Sequence, residues 1–231
     1  MLQLIDITAG IVLKSINLKV NKDEFVLIVG DNGAGKTTLF NTISGSIKPR
    51  KGKILIAGQD VTDASQHARA SVIANVFQDP KIGTIGNMTL RENLNIAYKR
   101  GTPRTFSVSN ARKRDAMYKE KLQILNMNLE NRLDDYVKDL SGGQRQALSV
   151  IMATLSDAKI LLLDEITAAL DRQTAETLLR FIEETIIQEK KTCLMITHDT
   201  NHIERLGDKV MTLRNGQLTL SGKIHKASVN P

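Results

Sequence analysis

Short apolar runs rich in Ile, Val and Leu recur along the chain, at Ile16–Val20, Phe25–Val29, Lys53–Ile56, Val72–Phe77, Ile160–Leu163, Thr192–Ile196 and Lys209–Leu213. Each has the length of a strand, and several are continuous enough to be buried on both faces. Helical patterns lie between them. After Asp171, the residues Ala175, Leu178, Leu179, Ile182 and Ile186 fall on one face of a helix. Strands alternating with helices predict an α/β core with a largely parallel sheet. The stretch from about 86 to 139 breaks this rhythm. Thr89-Leu90-Arg91-Glu92 has the spacing of a capping box, and a charged helical pattern runs from about Ser109 to Asn126. Gly101, Pro103 and Ser107–Ser109 mark a loop within it, and no strand pattern is present. One domain over residues 1–231, with a helical subdomain inserted at about 86–139, is the expected organisation. A chain of 231 residues is long enough to bury a large core without disulfides. The polar tail Ala227–Pro231 is expected to fray.

Composition narrows the class. Hydrophobic residues at 41% and charged residues at 25% exclude a disordered or collagen-like chain. Cys193 is the only cysteine, so no intrachain disulfide can form and a reducing compartment is expected. Met1–Asp6 lacks the pattern of a signal peptide, and no run of about 18 apolar residues exists to cross a bilayer. The expectation is a soluble, cytoplasmic protein. The net charge of +7 raises nucleic acid or an anionic surface as a partner. Its location changes that picture. Residues 99–121 hold Lys99, Arg100, Arg104, Arg112, Lys113, Arg114, Lys119 and Lys121 against Asp115 and Glu120, so nearly all the excess sits in the helical insert. Either this is a solvated helix face, or it is attracted to an anionic leaflet or an acidic loop of a membrane partner.

Three segments carry candidate chemistry. Gly30-Asp31-Asn32-Gly33-Ala34-Gly35-Lys36-Thr37 matches G-x-x-x-x-G-K-[ST], follows an apolar strand and precedes a helix-compatible run, Thr37–Ser44. Glycines let successive N–H groups converge on phosphate oxygens, and the helix N-terminus adds partial positive charge. Lys36 is expected to reach the β- and γ-phosphates and Thr37 to hold Mg²⁺. The candidates for nucleotide binding are Gly30, Asn32, Gly33, Ala34, Gly35, Lys36, Thr37 and Thr38. The apolar strand Ile160–Leu163 ends in Asp164 and Glu165. Asp164 can reach the cation, while Glu165, diverging from its neighbour, can polarise the water that attacks the γ-phosphate. Leu140-Ser141-Gly142-Gly143-Gln144 opens a helical run with two glycines, a second nest for anions. One phosphate loop already cradles one phosphate chain, so this second nest suggests a second subunit capping the same nucleotide.

Together these segments resemble the ATP-binding cassette (ABC) ATPase family over nearly the whole chain. Gln78 in Val76-Phe77-Gln78-Asp79-Pro80 is similar to the family's Q-loop, and Leu140–Gln144 to its signature. Ile160–Glu165 resembles Walker B with the catalytic glutamate, Ala169-Leu170-Asp171 the D-loop, and His198 in Ile196–Asp199 the switch histidine. The resemblance implies a P-loop core with N-terminal antiparallel strands, ATP and Mg²⁺ as ligands, and a head-to-tail pair of ATPase subunits. It further implies that Ser141, Gly142, Gly143 and Gln144 meet the partner's ATP, and that Asp171 lies across the interface. Gln78 would contact Mg²⁺ or the attacking water, and His198 the transferring phosphoryl group. Two departures stand out. Residues 1–24 contain no aromatic side chain to stack on adenine. The base is therefore expected on aliphatics around Ile7–Val12, with looser base selectivity. Ile166 stands where proline commonly follows the glutamate, with little expected effect on catalysis.

A cassette without a membrane span needs separate permease subunits, received in the groove around Asp79–Arg91. Similarity around Gln78–Gly86, Met152–Leu155 and Asp164–Asp171 points to bacterial uptake systems of the amino-acid or sugar type, with an external solute-binding protein, on the cytoplasmic face of the cell membrane. An exporter or lipoprotein-release ATPase is the alternative. A nucleic-acid ABC ATPase is disfavoured, because Lys36 and Ser141 lie too close in sequence for an inserted coiled coil and only one cassette is present. A P-loop kinase would have no use for Leu140–Gln144.

Overall fold

The computed structural model describes residues 1–100, 111–168, 170–199 and 207–223. Ala169, Gly101, Pro103, Arg104, Ser107–Ser109 and the tail Ala227–Pro231 lie outside them.

The strands are β1 (Leu2–Ala9), β2 (Leu13–Val20), β3 (Phe25–Val29), β4 (Lys51–Ile56), β5 (Gln59–Asp60), β6 (Ile73–Val76), β7 (Ile160–Asp164), β8 (Thr192–Ile196), β9 (Lys209–Arg214) and β10 (Gln217–Lys223). The helices are α1 (Lys36–Ser44), α2 (Gln66–Arg69), α3 (Pro80–Gly83), α4 (Leu90–Tyr98), α5 (Ala111–Gln123), α6 (Gly142–Leu155) and α7 (Arg172–Glu189). Strands β2-β1-β4-β5 form an antiparallel sheet, and β10-β9-β3-β8-β7-β6 a second sheet. In the latter all neighbours run parallel except β10, which closes one edge antiparallel to β9.

Successive strand residues point to opposite faces, which is why the apolar runs of the parallel sheet are continuous. Phe25, Leu27, Leu161, Leu163, Cys193 and Met195 face a core shared with α4 to α7. Val26, Ile28, Ile160, Leu162, Leu194 and Ile196 face a second core with Leu39, Phe40 and Ile43 of α1 and the antiparallel sheet. Each fully buried side chain of this kind contributes about 1.5–3 kcal/mol. The same alternation sets the chemistry at the end of β7. Asp164 continues the α1 side of the strand, and Glu165 leaves it with a left-handed φ of 45°.

β1 carries a bulge that the hydrophobic pattern does not announce. Leu2 and Leu4 point inward, then Asp6 takes φ 51° and the inward positions become Ile7 and Ala9. The capping box at Thr89 is present, with Glu92 N donating to Thr89 Oγ1 at 3.2 Å and Thr89 N to Glu92 Oε2 at 2.7 Å. The pattern predicts a helix running to Asn126, but α5 stops at Gln123. Asn126 adopts φ 53°, a left-handed turn that a helix cannot continue through. Part of the basic segment is engaged. Lys121 pairs with Glu189 of α7 at 3.3 Å, and Asp115 takes Arg91 of α4, leaving Arg112, Lys113 and Lys119 as the exposed cations of α5. Among the described residues, no helix is long and apolar enough to cross a membrane.

Candidate nucleotide site

The phosphate loop joins β3 to α1. Gly30 takes φ 153°, and a Cβ there would lie 2.2 Å from Leu213 O of β9, so only glycine lets β3 leave the sheet at this point. Ala34 N donates to Asp31 O at 3.2 Å and closes the loop. Gly35, left-handed at φ 103°, precedes α1 without a side-chain cap. The first-turn N–H groups of the nine-residue helix therefore stay open to an anion. Asp31, Asn32, Gly33 and Thr37 are exposed, whereas Gly35 and Lys36 are buried. Lys36 Nζ folds back over the loop and donates to Gly30 O at 2.8 Å and Asp31 O at 3.1 Å.

The end of β7 meets this loop from the side. Thr37 Oγ1 donates to Asp164 Oδ2 at 3.1 Å, across 127 residues of sequence. Burial pushes the Asp164 carboxyl above its ordinary pKa, and the Glu165 charge adds to this, while the Thr37 hydroxyl and the Lys36 ammonium oppose it. Glu165 turns the other way. Its Oε2 accepts from Gln78 Nε2 at 3.0 Å, and its Oε1 lies 2.9 Å from His198 Nε2. Glu165 N donates to Ile196 O at 3.1 Å, fixing the backbone that presents the carboxylate. Two side chains from separate loops, Gln78 and His198, thus converge on the Glu165 carboxylate beside the Thr37–Asp164 pair.

Thr37 and Asp164 bring two oxygen donors together, and the Gln78 amide would add a third of the same kind, a chemistry suited to Mg²⁺. No group of three or more His, Cys, Asp or Glu gathers into a metal cage among the described residues. That fits a cation whose remaining ligands are phosphate and water oxygens.

The signature segment is organised around its own helix. Ser141 caps α6, its Oγ accepting from Gln144 N at 3.2 Å while Gln144 Oε1 accepts from Ser141 N at 3.1 Å. Arg132 Nη1 donates to the same Gln144 oxygen at 3.2 Å. Gly142 is exposed, and an added Cβ there would meet nothing within 4 Å. Among the described residues, none of these bonds reaches the phosphate loop. Asp171 is likewise the N-cap of α7, accepting from Thr174 N at 3.0 Å, and hydrogen bonds from the Thr174 side chain and backbone hold its carboxyl below the usual range.

One expectation needs correcting. Ile7 cannot line a base site, because the β1 bulge turns it wholly into the core. Ile11 and Val12 do line a cleft beside the loop. The opposite wall, Asn215 and Gly216 of the β9–β10 turn, has no signal in the sequence beyond an Asn-Gly pair. Gly216 takes φ 78°, and a Cβ there would lie 1.8 Å from Val12 O, while Lys14 N donates to Gly216 O at 2.8 Å. Gly216→Ala should therefore destabilise the fold by about 2–4 kcal/mol, read as a lower thermal midpoint. A midpoint within a degree of the parent would show that the two turns separate freely.

Known proteins align with this arrangement. A family model described as ABC transporter matches residues 13–168. A tyrosine transport ATP-binding protein of Clostridioides difficile (strain R20291) is 37% identical over 212 residues, covering 92% of this chain and 84% of that protein. A methionine import ATP-binding protein of Haemophilus ducreyi is 31% identical over 224 residues, covering 96% of this chain; the chain spans 62% of that relative's length. Among solved structures, a dimeric ATP-binding cassette in a post-hydrolysis state, bound to ADP and Pi, superposes with a TM-score of 0.85 at 27% identity, covering 98% of this chain and all of that one.

Proposed function

The chain belongs to the ABC transporter family of ATPases, and from that premise we propose that it is the motor subunit of a multi-subunit importer of an amino-acid-type solute. It hydrolyses ATP taken with Mg²⁺. The observation that carries the reading is the convergence of Gln78 and His198 on Glu165, next to Thr37 and Asp164 at the phosphate loop.

Lys36 leaves its two loop carbonyls for the β- and γ-phosphates, and the open N–H groups of α1 take the remaining oxygens. Thr37, Asp164 and Gln78 would hold Mg²⁺, which would supply neutralisation of phosphate charge there. Glu165 receives a proton from the attacking water, and Gln78 and His198 fix the orientation of its carboxylate. Ser141 and Gly142 lie exposed at the head of α6 and serve a second subunit, so ATP closes a head-to-tail pair. Loss of the γ-phosphate removes contacts that only the closed pair makes, which lets it reopen.

The permease binds beside Gln78. A cavity of about 300 Å³ lined by Asn75, Phe77, Ile82, Arg100 and Met152 opens there, with Ile82 66% exposed at its rim. An apolar side chain this exposed beside a cavity suits a membrane partner's cytoplasmic helix. Ile82→Asp is expected to lower recovery of the chain with the membrane fraction about tenfold. The importer reading also assigns an external solute-binding protein and the cytoplasmic membrane face. Its test is reconstitution of the co-purified complex in liposomes. ATP-driven uptake of a labelled amino acid supports the reading, whereas ATP-driven movement only outward, or no amino-acid uptake, overturns it. The tyrosine and methionine relatives make those two solutes the first to assay.

A further inference from the structure

Behind the exposed head of α6 stands a cation, Arg132, that reaches the signature segment through Gln144. Gln144 closes the capping box of α6, and its carboxamide is held on three sides. Oε1 accepts from Ser141 N at 3.1 Å and from Arg132 Nη1 at 3.2 Å, while Nε2 donates to Met127 O at 3.4 Å. Both acceptor positions of the amide are filled, and all three partners belong to its own subunit. Reversing the amide would set an N–H against the Arg132 guanidinium and an oxygen against the Met127 carbonyl. Arg132 therefore fixes which way Gln144 faces, and with it the cap on Ser141 N. Ser141 Oγ already accepts from Gln144 N. Its hydroxyl proton and the first-turn N–H groups of Gly142 and Gly143 are what α6 offers an incoming anion.

Arg132 can orient Gln144 because its own mount is stiff. Its Nε donates to Asp135 Oδ2 at 2.6 Å, which sets the plane of the guanidinium. The backbone beside it is pinned to the start of α4. Leu90 N donates to Asp135 O at 3.0 Å, and Arg91 N to Leu133 O at 2.9 Å. Arg91 also grips Asp134 through two bonds, at 3.1 and 3.0 Å. Leu129 and Leu133 anchor the same segment in the core. A planar donor on a fixed base loses little freedom when it holds its acceptor.

We propose that Arg132 and Gln144 work as one positioning pair. They hold Ser141, Gly142 and Gly143 in the geometry that receives the γ-phosphate bound by the second subunit, and Gln144 itself does not touch that nucleotide. The proposal rests on the head-to-tail reading above.

The test is run in the Glu165→Gln background, where slow hydrolysis preserves the closed pair. Light scattering gives the subunit concentration at half-dimerisation in ATP, and displacement of a fluorescent ADP analogue gives ATP binding to the dilute monomer. Arg132→Ala and Gln144→Ala should each raise the half-dimerisation concentration about tenfold, the equivalent of one hydrogen bond. Monomer binding should stay within about twofold, because the phosphate loop is untouched. The double variant should dimerise about as well as either single one, since each breaks the same unit. Gln144→Glu separates positioning from contact. A carboxylate keeps the cap on Ser141 N and pairs more strongly with Arg132, so dimerisation should stay within about threefold of the background. On a side chain that touched the γ-phosphate, the same charge would repel the polyanion. A loss of about tenfold or more in Gln144→Glu therefore overturns the proposal, as does background-like dimerisation of Arg132→Ala. Equal losses of monomer binding and dimerisation in Arg132→Ala would overturn it too, because they mark a general loss of fold. If the Glu165→Gln chain, with Arg132 and Gln144 intact, formed no dimer in ATP, the head-to-tail reading itself would fall, an outcome distinct from these.

Discussion

Glu165→Gln should bind ATP about as tightly as the parent and turn it over roughly 10²–10⁴ times more slowly. The substitution keeps the size of the side chain, so both oxygen-side contacts, to Gln78 and His198, keep a polar partner. What is lost is the ability to accept a proton from water. The backbone stays pinned by the bond from position 165 to Ile196 O. Because the closed pair would hold unspent γ-phosphate, the variant should also accumulate as a dimer in ATP. Single-turnover hydrolysis and size-exclusion chromatography with light scattering read the two effects. Parent-like turnover would remove Glu165 from the role of essential base and leave His198 to be tested in its place.

The second large effect is expected at Lys36, where replacement by Ala should weaken ATP binding by about 100-fold. The side chain is buried and its ammonium already bonds two carbonyls of the loop. Triphosphate replaces those neutral partners with charged ones, and charge-assisted bonds are roughly twice as strong. Without the ammonium, the polyanion is held by backbone N–H groups alone. Titration calorimetry gives the affinity, and the loss of ATP-dependent thermal stabilisation gives an independent reading. Binding within threefold of the parent would mean that the loop backbone, and not Lys36, dominates.

The local parts of this site were legible because each is a contiguous signal. Gly30–Thr37, Ser141–Gln144 and the strand ending at Asp164 and Glu165 each carry their own geometry. Alternation along β7 already implies that Asp164 and Glu165 diverge. The meetings across the chain were not legible from spacing. Nothing in composition or period joins Gln78 to Glu165 or Thr37 to Asp164; the second meeting followed from the chemistry of one shared cation, and only the family resemblance brought Gln78 to the same centre. The core strands of the parallel sheet were readable because both their faces are buried. β1 was not, because its bulge at Asp6 breaks the two-residue period that marks a strand. The same break misplaced Ile7 in a base site. β10 lies at a sheet edge with Leu220 exposed, so its pattern is diluted by polar residues. The clamp of Gly216 on Val12 is a contact between distant backbones, and a sequence carries no mark of it.

Cys193 sits at the centre of the parallel sheet, on β8 and wholly shielded from solvent, and burial raises its thiol far above the usual pKa. Thiol-reactive reagents need an accessible thiolate, so the native cysteine should stay silent. The unaltered sequence is therefore a ready background for paired spin or fluorescent labels. A cysteine introduced at an exposed position such as Lys113 would be the sole reactive site in each subunit. The distance between labels in two subunits would then report opening and closing directly, turnover by turnover.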